Sequence, residues 1–335
     1  MMNFCTLYDS NYISKGIALY LSIRRYTKDF TMYVMAMDRK CQQILNSLSL
    51  EGIIVECIED IEDSKLEETK GNRSRAEFCW TCGSYSTYYF LQKYELPDIT
   101  YLDSDLMFFC TPEVVFEELK KENVSIGIVS HFKKYNLFGK YNVEYVYFKN
   151  DDNGRTCLRW WRDECLKWCY NKLEDGKYGD QKYLEYFSEK FNNVYEIKNR
   201  GVGIASWNMN LYKYNNGNVF YKGQSWPIVF FHYNGFRINV ENDILFFRHT
   251  IYLTNTIKDV FVKPYEELIS EVFTKYLDIE INKVVVRPLE KIKYFVRTII
   301  HYLDKFLPIE FILAQAMKIK YRQRKLAYSE RKVSN

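Results

Sequence analysis

The chemistry this 335-residue chain offers centres on the run 99–109, Ile-Thr-Tyr-Leu-Asp-Ser-Asp-Leu-Met-Phe-Phe, in which Asp103 and Asp105 flank Ser104. Carboxylates at i and i+2 leave a strand on the same side, so both can approach one hard divalent cation, directly or through water. The apolar stretches on either side argue against a plain solvated turn, because two carboxylates between buried runs are costly without a partner. A cation held there would offset negative charge developing on a phosphorylated leaving group. A strand end is also where open α/β sheets bind ligands, outside their carboxyl edge. Alone, the pattern is short enough to occur by chance.

Other reactive residue types say less by themselves. His232 lies in an aromatic run, Phe230-Phe231-His232, with Gly235 three residues on; taken alone, such a histidine is more often a hydrogen-bonded core residue than a ligand. Asp180 precedes Gln181, and an aspartate there equally well opens a helix as its cap. Cys79 and Cys82 have the spacing of a redox pair but fall inside a helical pattern rather than between a first strand and a helix. Cys165 and Cys169 stand one turn apart with no second pair at matching spacing, and read as core. An aspartyl phosphohydrolase also ends a strand in Asp-x-Asp, but it wants Thr or Val where this chain has Met107.

The elements that must position these residues alternate. Strand-like runs at 3–8, 31–37 and 53–57 are separated by helical patterns at 13–26, where Ser14 is the candidate cap, and 42–48. This order implies a parallel sheet with helices on its faces. The charged stretch 59–72 reads as a loop and 73–94 as a helix. Strands follow at 99–102 and 106–109, then a helix opened by Thr111 as cap with Pro112 in its first turn. Strands at 125–130 and 144–148 lead to an aromatic helix over 155–171, a short helix at 180–187, and late strands at 194–197, 219–221 and 228–232. Helices are expected at 266–276 and 289–306. The texture changes near residue 262, which divides an α/β body, 1–262, from a helical appendix, 263–335.

Composition narrows the class. Apolar residues make up 47% and aromatics 18%, with 30 Tyr, 23 Phe and 6 Trp; Tyr and Trp suit cores, interfaces and sugar-stacking surfaces. Only 14 Gly and 6 Pro argue against disorder. No run approaches the ~20 apolar residues of a membrane span, and Met1–Cys5 lacks a basic segment leading into an apolar one. With nine cysteines read as reduced thiols, the expected location is cytoplasmic.

Taken with its neighbours, the run Thr-Tyr-Leu-Asp-Ser-Asp-Leu resembles the Y-L-D-x-D signature of GT-A-fold glycosyltransferases, notably the family 8-like nucleotide-diphospho-sugar transferases of bacterial surface-polysaccharide type. Further segments agree in order over residues 3–237: 75–84 before the metal motif, Asn142-Val-Glu-Tyr after it, Gly179-Asp180-Gln181, Trp207-Asn208, and His232-Tyr-Asn-Gly235. The resemblance implies a GT-A (Rossmann-like) mixed, mainly parallel sheet flanked by helices. It implies that Asp103, Asp105 and His232 hold Mn²⁺ or Mg²⁺, a donor set suited to Mn²⁺, with Asp103 also near the ribose. Thr6 and Tyr8 would contact the base, and Arg75 the diphosphate or sugar. Ser104, Asn142, Trp207, Asn208 and Gly235 would complete the donor site. Asp180 would bind sugar hydroxyls, with Gln181 beneath the anomeric carbon.

A glutamine is a poor nucleophile and no base, so the match implies a retaining route through an oxocarbenium-like ion pair. An inverting enzyme would need a carboxylate to deprotonate the acceptor, and Asp180 could be recruited for that. One position departs from the pattern: Glu144 stands where the family strand has glycine. It narrows the pocket, binds the acceptor, or marks an alignment shifted by a residue or two.

Charge is uneven. Residues 286–335 carry 12 Lys and Arg against 4 Asp and Glu, while the whole chain is +4. Lys291, Lys293, Arg297 and Lys305 interleave with Ile292, Phe295, Ile299, Ile300 and Leu303, a pattern that fits either an anionic membrane surface or a helix packed on the body with a solvated cationic face. No nucleic-acid module accompanies the charge. The expectation is a metal-dependent transferase moving a sugar from a nucleotide-diphosphate sugar, UDP-sugar favoured, to a glycan or lipid-linked acceptor, peripheral at the inner membrane face. The alternatives are a metal-dependent phosphohydrolase using the same aspartates and a non-catalytic membrane-associated adaptor.

Overall fold

A computed structural model describes residues 1–61, 63–132, 138–249 and 253–288. The first half alternates β1 (Met2–Tyr8), α1 (Ile13–Arg24), β2 (Phe30–Ala36), α2 (Arg39–Leu48), β3 (Ile53–Cys57), α3 (Ser64–Asn72), α4 (Arg75–Lys93) and β4 (Asp98–Leu102). Then come β5 (Leu106–Phe108), α5 (Glu113–Lys121), β6 (Ile126–Ser130), β7 (Tyr141–Lys149), α6 (Asp152–Lys167), a 3-10 turn (Gln181–Tyr186), α7 (Phe187–Lys190) and β8 (Val194–Glu196).

Seven of these strands form one sheet in the order β3-β2-β1-β4-β7-β6-β8. All neighbours run parallel except β7, which is antiparallel to β4 and to β6. This is the expected mixed, mainly parallel sheet, and burial explains it. Every residue of β1 is buried, as strands covered on both faces require. One face packs under α1 and α2, the other under α4 and α6.

Helix starts follow their caps. Asp38 accepts from the Cys41 amide, and Ser74 and Glu77 form a reciprocal capping box on α4. Three expectations need correction. The stretch 59–72 is not all loop: Asp63 caps α3 by accepting from the Leu66 amide, and Leu66 and Thr69 anchor a helix, 64–72, whose other positions are charged, polar or glycine. Ser14 does not cap α1; Tyr12 takes that place without a side-chain bond, and Ser14 is buried one residue into the helix. Thr111 is not the cap of α5 either, since Pro112 occupies the N-cap position.

The second half builds on the sheet's carboxyl edge: β9 (Ile204–Ala205), β10 (Lys213–Asn215), β11 (Asn218–Tyr221), β12 (Gln224–Pro227), β13 (Phe230–His232), β14 (Phe236–Glu241) and β15 (Ile244–His249). α8 (Asn255–Ile257) and α9 (Lys263–Glu271) belong to one helical run over 255–276 with two π-helical stretches, and β16 (Lys283–Pro288) closes the described chain beside β15. The run crosses residue 262 without a break and buries Tyr265, Leu268, Ile269 and Val272 in the same cluster as α1 and β1. The helix expected at 289–306 and the basic positions Lys291, Lys293, Arg297 and Lys305 lie outside the described residues. No helix among the described residues is long and apolar enough to cross a membrane.

Candidate metal centre

Backbone pairing brings distant residues to one place. β5 continues directly from Asp105 and pairs antiparallel with β13, so that His232 stands opposite Leu106. The Tyr233 amide donates to the Asp105 carbonyl at 2.8 Å, and β9 holds the other side of β13, with His232 opposite Ala205. The His232 imidazole is thereby delivered beside the strand end of Asp103-Ser104-Asp105. Its Nε2 lies 3.1 Å from Asp105 Oδ1 and 3.7 Å from Asp103 Oδ2. Among the described residues, Asp103, Asp105 and His232 are the one group of His, Cys and carboxylate side chains near enough together to hold a metal ion, with donor atoms within 4.8 Å of one another.

The donor set fits a hard divalent ion. An ion about 2.1 Å from each ligand in an octahedron puts neighbouring donors about 3 Å apart, close to the 3.1 Å between His232 and Asp105, with Asp103 farther at 3.7 Å. The imidazole is buried, while the Asp103 and Asp105 side chains keep 29% and 18% exposure, so one side of the group stays open. Two further charges touch it. Lys15, buried on α1, reaches Asp105 Oδ2 at 3.4 Å and the Phe236 carbonyl at 3.1 Å. Glu144, buried on β7, places Oε2 2.6 Å from His232 Nδ1. With three carboxylates ionised and the imidazole neutral, Lys15 leaves two negative charges, the complement of one divalent cation.

Protonation follows from these contacts. Burial, and then the charges of Asp105 and Glu144 against the opposing pull of His232, raise the Asp103 carboxyl to about 6. Burial works against an ionised Asp105, but Lys15 and then His232 overcome it and hold that carboxyl well below the usual range. Burial likewise disfavours a charged imidazole, yet Asp105 and Glu144 keep His232 protonated far above its ordinary value when no cation is present. The imidazolium then supplies positive charge where a cation would.

The remaining expected residues fall into two groups. Asp180 is buried at the start of the 3-10 turn, its carbonyl accepting from Trp161 Nε1 at 3.0 Å. Burial and then the charge of Asp103 lift its carboxyl to about 8. It makes no side-chain cap bond. Gln181 follows, its amide donating to the Phe138 carbonyl at 3.0 Å. Trp207 stands edge-on to both His232 and His131, at 5.4 and 5.1 Å between ring centres, and its buried Nε1 has no partner among the described residues. Ser104 is half-buried between the two aspartates. Gly235, at φ +83°, makes the turn after β13 that a side chain would strain.

The second group lies in the surrounding framework. Asn208 closes its own loop, accepting from the Ala205 amide and donating to Gly203 and His131 carbonyls. Asn142 accepts from the Glu144 amide at 2.8 Å and pairs with His131 Nε2 at 3.1 Å. Thr6 is buried in β1, and Tyr8 is buried against Gly16 of α1, the hydroxyl of each without a hydrogen-bond partner among the described residues. Arg75, half-exposed at the start of α4, bonds Asp9 Oδ2 at 3.3 Å and the Met37 carbonyl at 3.0 Å. Lys15 was not anticipated. Its only signal is a lysine set among Ile13, Gly16, Ile17 and Ala18 in a helix buried nearly all round.

No family model matches the chain. It is 31% identical over 258 residues to YfnF of Bacillus subtilis (strain 168), an uncharacterized protein, covering 72% of this chain and 84% of that one. YfnD of the same organism, also uncharacterized, is 27% identical over 275 residues, 78% of this chain and 87% of YfnD. Among solved structures, the galactosyltransferase LgtC in complex with donor and acceptor sugar analogues superimposes with a TM-score of 0.50 at 12% identity, over 80% of this chain and 95% of LgtC. That likeness is one of fold, the GT-A glycosyltransferase fold.

Proposed function

This chain belongs to the same family as YfnF of Bacillus subtilis, and we propose that it is a metal-dependent glycosyltransferase drawing on a nucleotide-diphosphate sugar, UDP-sugar favoured. The observation that carries the reading is the convergence of Asp103, Asp105 and His232 at the carboxyl edge of a GT-A sheet. In this reading the three side chains hold Mn²⁺ or Mg²⁺, which supplies charge to offset that of the departing nucleotide diphosphate. Lys15 fixes Asp105 in its ionised form. Asp180 and Gln181 take the sugar side. Buried and held protonated to about pH 8, Asp180 donates a hydrogen bond to a sugar hydroxyl. Gln181 offers neither base nor nucleophile, which supports a retaining, front-face transfer. The acceptor is a glycan or a lipid-linked saccharide of surface-polysaccharide synthesis, reached at the inner membrane face through the basic segment 286–335. That assignment rests on the sequence resemblance and the charge of that segment.

The test is to incubate purified protein with Mn²⁺ or Mg²⁺ and a panel of nucleotide sugars. Slow donor hydrolysis, or thermal stabilisation by one nucleotide diphosphate only with metal, is the expected result. Phosphate release from simple monoesters with no nucleotide preference would overturn it in favour of a phosphohydrolase.

A further inference from the structure

Glu144 is the carboxylate that the sequence pattern leaves unexplained. It lies at an irregularity in β7. Ile128 of β6 pairs with Val146, but the next residue, Val129, pairs with Asn142, so residues 143–145 have no partner on β6. Such a bulge re-aims side chains, and here it turns Glu144 inward under the metal group. The strand is held there on both sides: the Glu144 amide donates to Asn142 Oδ1, and its carbonyl accepts from the Asp103 amide at 3.1 Å. The carboxylate also needs space that only a glycine opposite provides. A Cβ on Gly203 would come within 2.8 Å of Glu144 Oε1. A bulge, an Asn clip and a glycine all accommodate one fully buried charge.

We propose that Glu144 is the positioning residue of the metal centre, its carboxylate accepting Nδ1–H of His232 so that Nε2 faces Asp103 and Asp105 with a free lone pair, while its backbone carbonyl anchors Asp103. One residue thus registers two of the three ligands, one by its side chain and one by its main chain. A metal-bound imidazole whose second nitrogen is held by a carboxylate is fixed in tautomer and orientation. The inference rests on the reading of the group as a metal site. It goes beyond that reading by assigning Glu144 to the ligand rather than to the sugar pocket or the acceptor.

The experiment is a Mn²⁺ titration followed by electron paramagnetic resonance on wild type, E144Q and E144A, with melting curves on the same samples. Loss of the carboxylate in E144A is expected to weaken Mn²⁺ about 10–100-fold. E144Q, whose amide oxygen can still accept from Nδ1–H, should stay within about tenfold of wild type. Equal affinity of E144A and wild type overturns the assignment, and so does an E144Q loss as large as that of E144A. Should E144A fail to fold, ¹⁵N imidazole spectra of the Mg²⁺-bound wild type decide, with H232A giving the assignment. A proton on Nδ1 supports the proposal, and a proton on Nε2 overturns it. A wild type that binds neither ion removes the metal reading itself, which separates that failure from the failure of Glu144 alone.

Discussion

Two buried regions meet at β4 and are built on opposite rules. Beneath α6, Trp161 packs against Phe148, Phe187 and Tyr101 at 6.0–6.5 Å between ring centres, in a cluster that is apolar throughout. Just past the carboxyl end of β4, Asp103, Asp105, Glu144, His232 and Lys15 crowd into contact. The aromatic region is finished as folded. The charged region is not, because each of its anions competes for a single lysine and a proton. Tyr101 belongs to both, its ring against Trp161 and its hydroxyl donating to Asp103 Oδ1 at 3.2 Å. The difference teaches that stability is drawn from a packed face of the sheet while unsatisfied charge collects at its carboxyl edge, so changes in the two regions should separate in their readouts.

The largest expected effect is on the apolar side. Trp161→Ala removes a fully buried indole and should cost about 3–5 kcal/mol of stability, read from urea denaturation. Asp105→Asn should instead abolish metal-dependent nucleotide binding and lower transfer by at least about 100-fold, roughly 2.7 kcal/mol, while the melting temperature falls less than in Trp161→Ala, through the loss of the pairing with Lys15 and His232. Equal losses of stability in both variants would erase the distinction between the regions.

Asp180 sharpens it. Its carboxyl is held up to about 8, so between the ordinary carboxyl range and pH 8 the folded chain keeps a proton that the unfolded chain releases. Stability from this group is therefore complete at low pH and is lost as pH rises through that window. Without metal, Asp180→Asn should be more stable than wild type at pH 8 and no more stable at pH 4, while transfer falls. Metal affinity should run the other way with pH. Because His232 keeps its proton well above the usual imidazole range without a cation, Asp103 is raised to about 6 and ligands must be deprotonated, Mn²⁺ binding measured by calorimetry should weaken as pH drops, with the fall steepening below about 6. The smallest effect belongs to the shared residue. Tyr101→Phe keeps the ring and should cost about 1 kcal/mol or less, but losing the hydroxyl bond to Asp103 should move the midpoint of that pH dependence upward.

Much of this was legible from residue order. The alternation of strands and helices follows from apolar periodicity, and Asp103 and Asp105 stand out because their flanks are apolar. His232 is different: in isolation it looks like any core histidine, and only its order relative to Asp180-Gln181 and Trp207-Asn208 singled it out. Its delivery depends on β5 pairing with β13, a contact across more than 120 residues that no local pattern encodes. Lys15 and Glu144 were opaque for a related reason. Each is a charge embedded in an apolar element, and its meaning lies wholly in a partner from elsewhere in the chain. The helix α3 was missed because Leu66 and Thr69 alone carry its buried face.

The helical run over 255–276 has a consequence in time. Tyr233, next to His232, stacks on Tyr265 at 3.6 Å between ring centres, and its hydroxyl donates to the Phe261 carbonyl at 2.8 Å. The strand bearing the histidine is thus clamped by residues that leave the ribosome after it. A growing chain displays both aspartates more than a hundred residues before the histidine is made, and the clamp some thirty residues later still. Domains fold as they emerge, amino terminus first, so the nascent protein carries its seven-stranded sheet before Asp103, Asp105 and His232 can meet. The stacking of Tyr233 on Tyr265 must wait until the helical run has emerged as well.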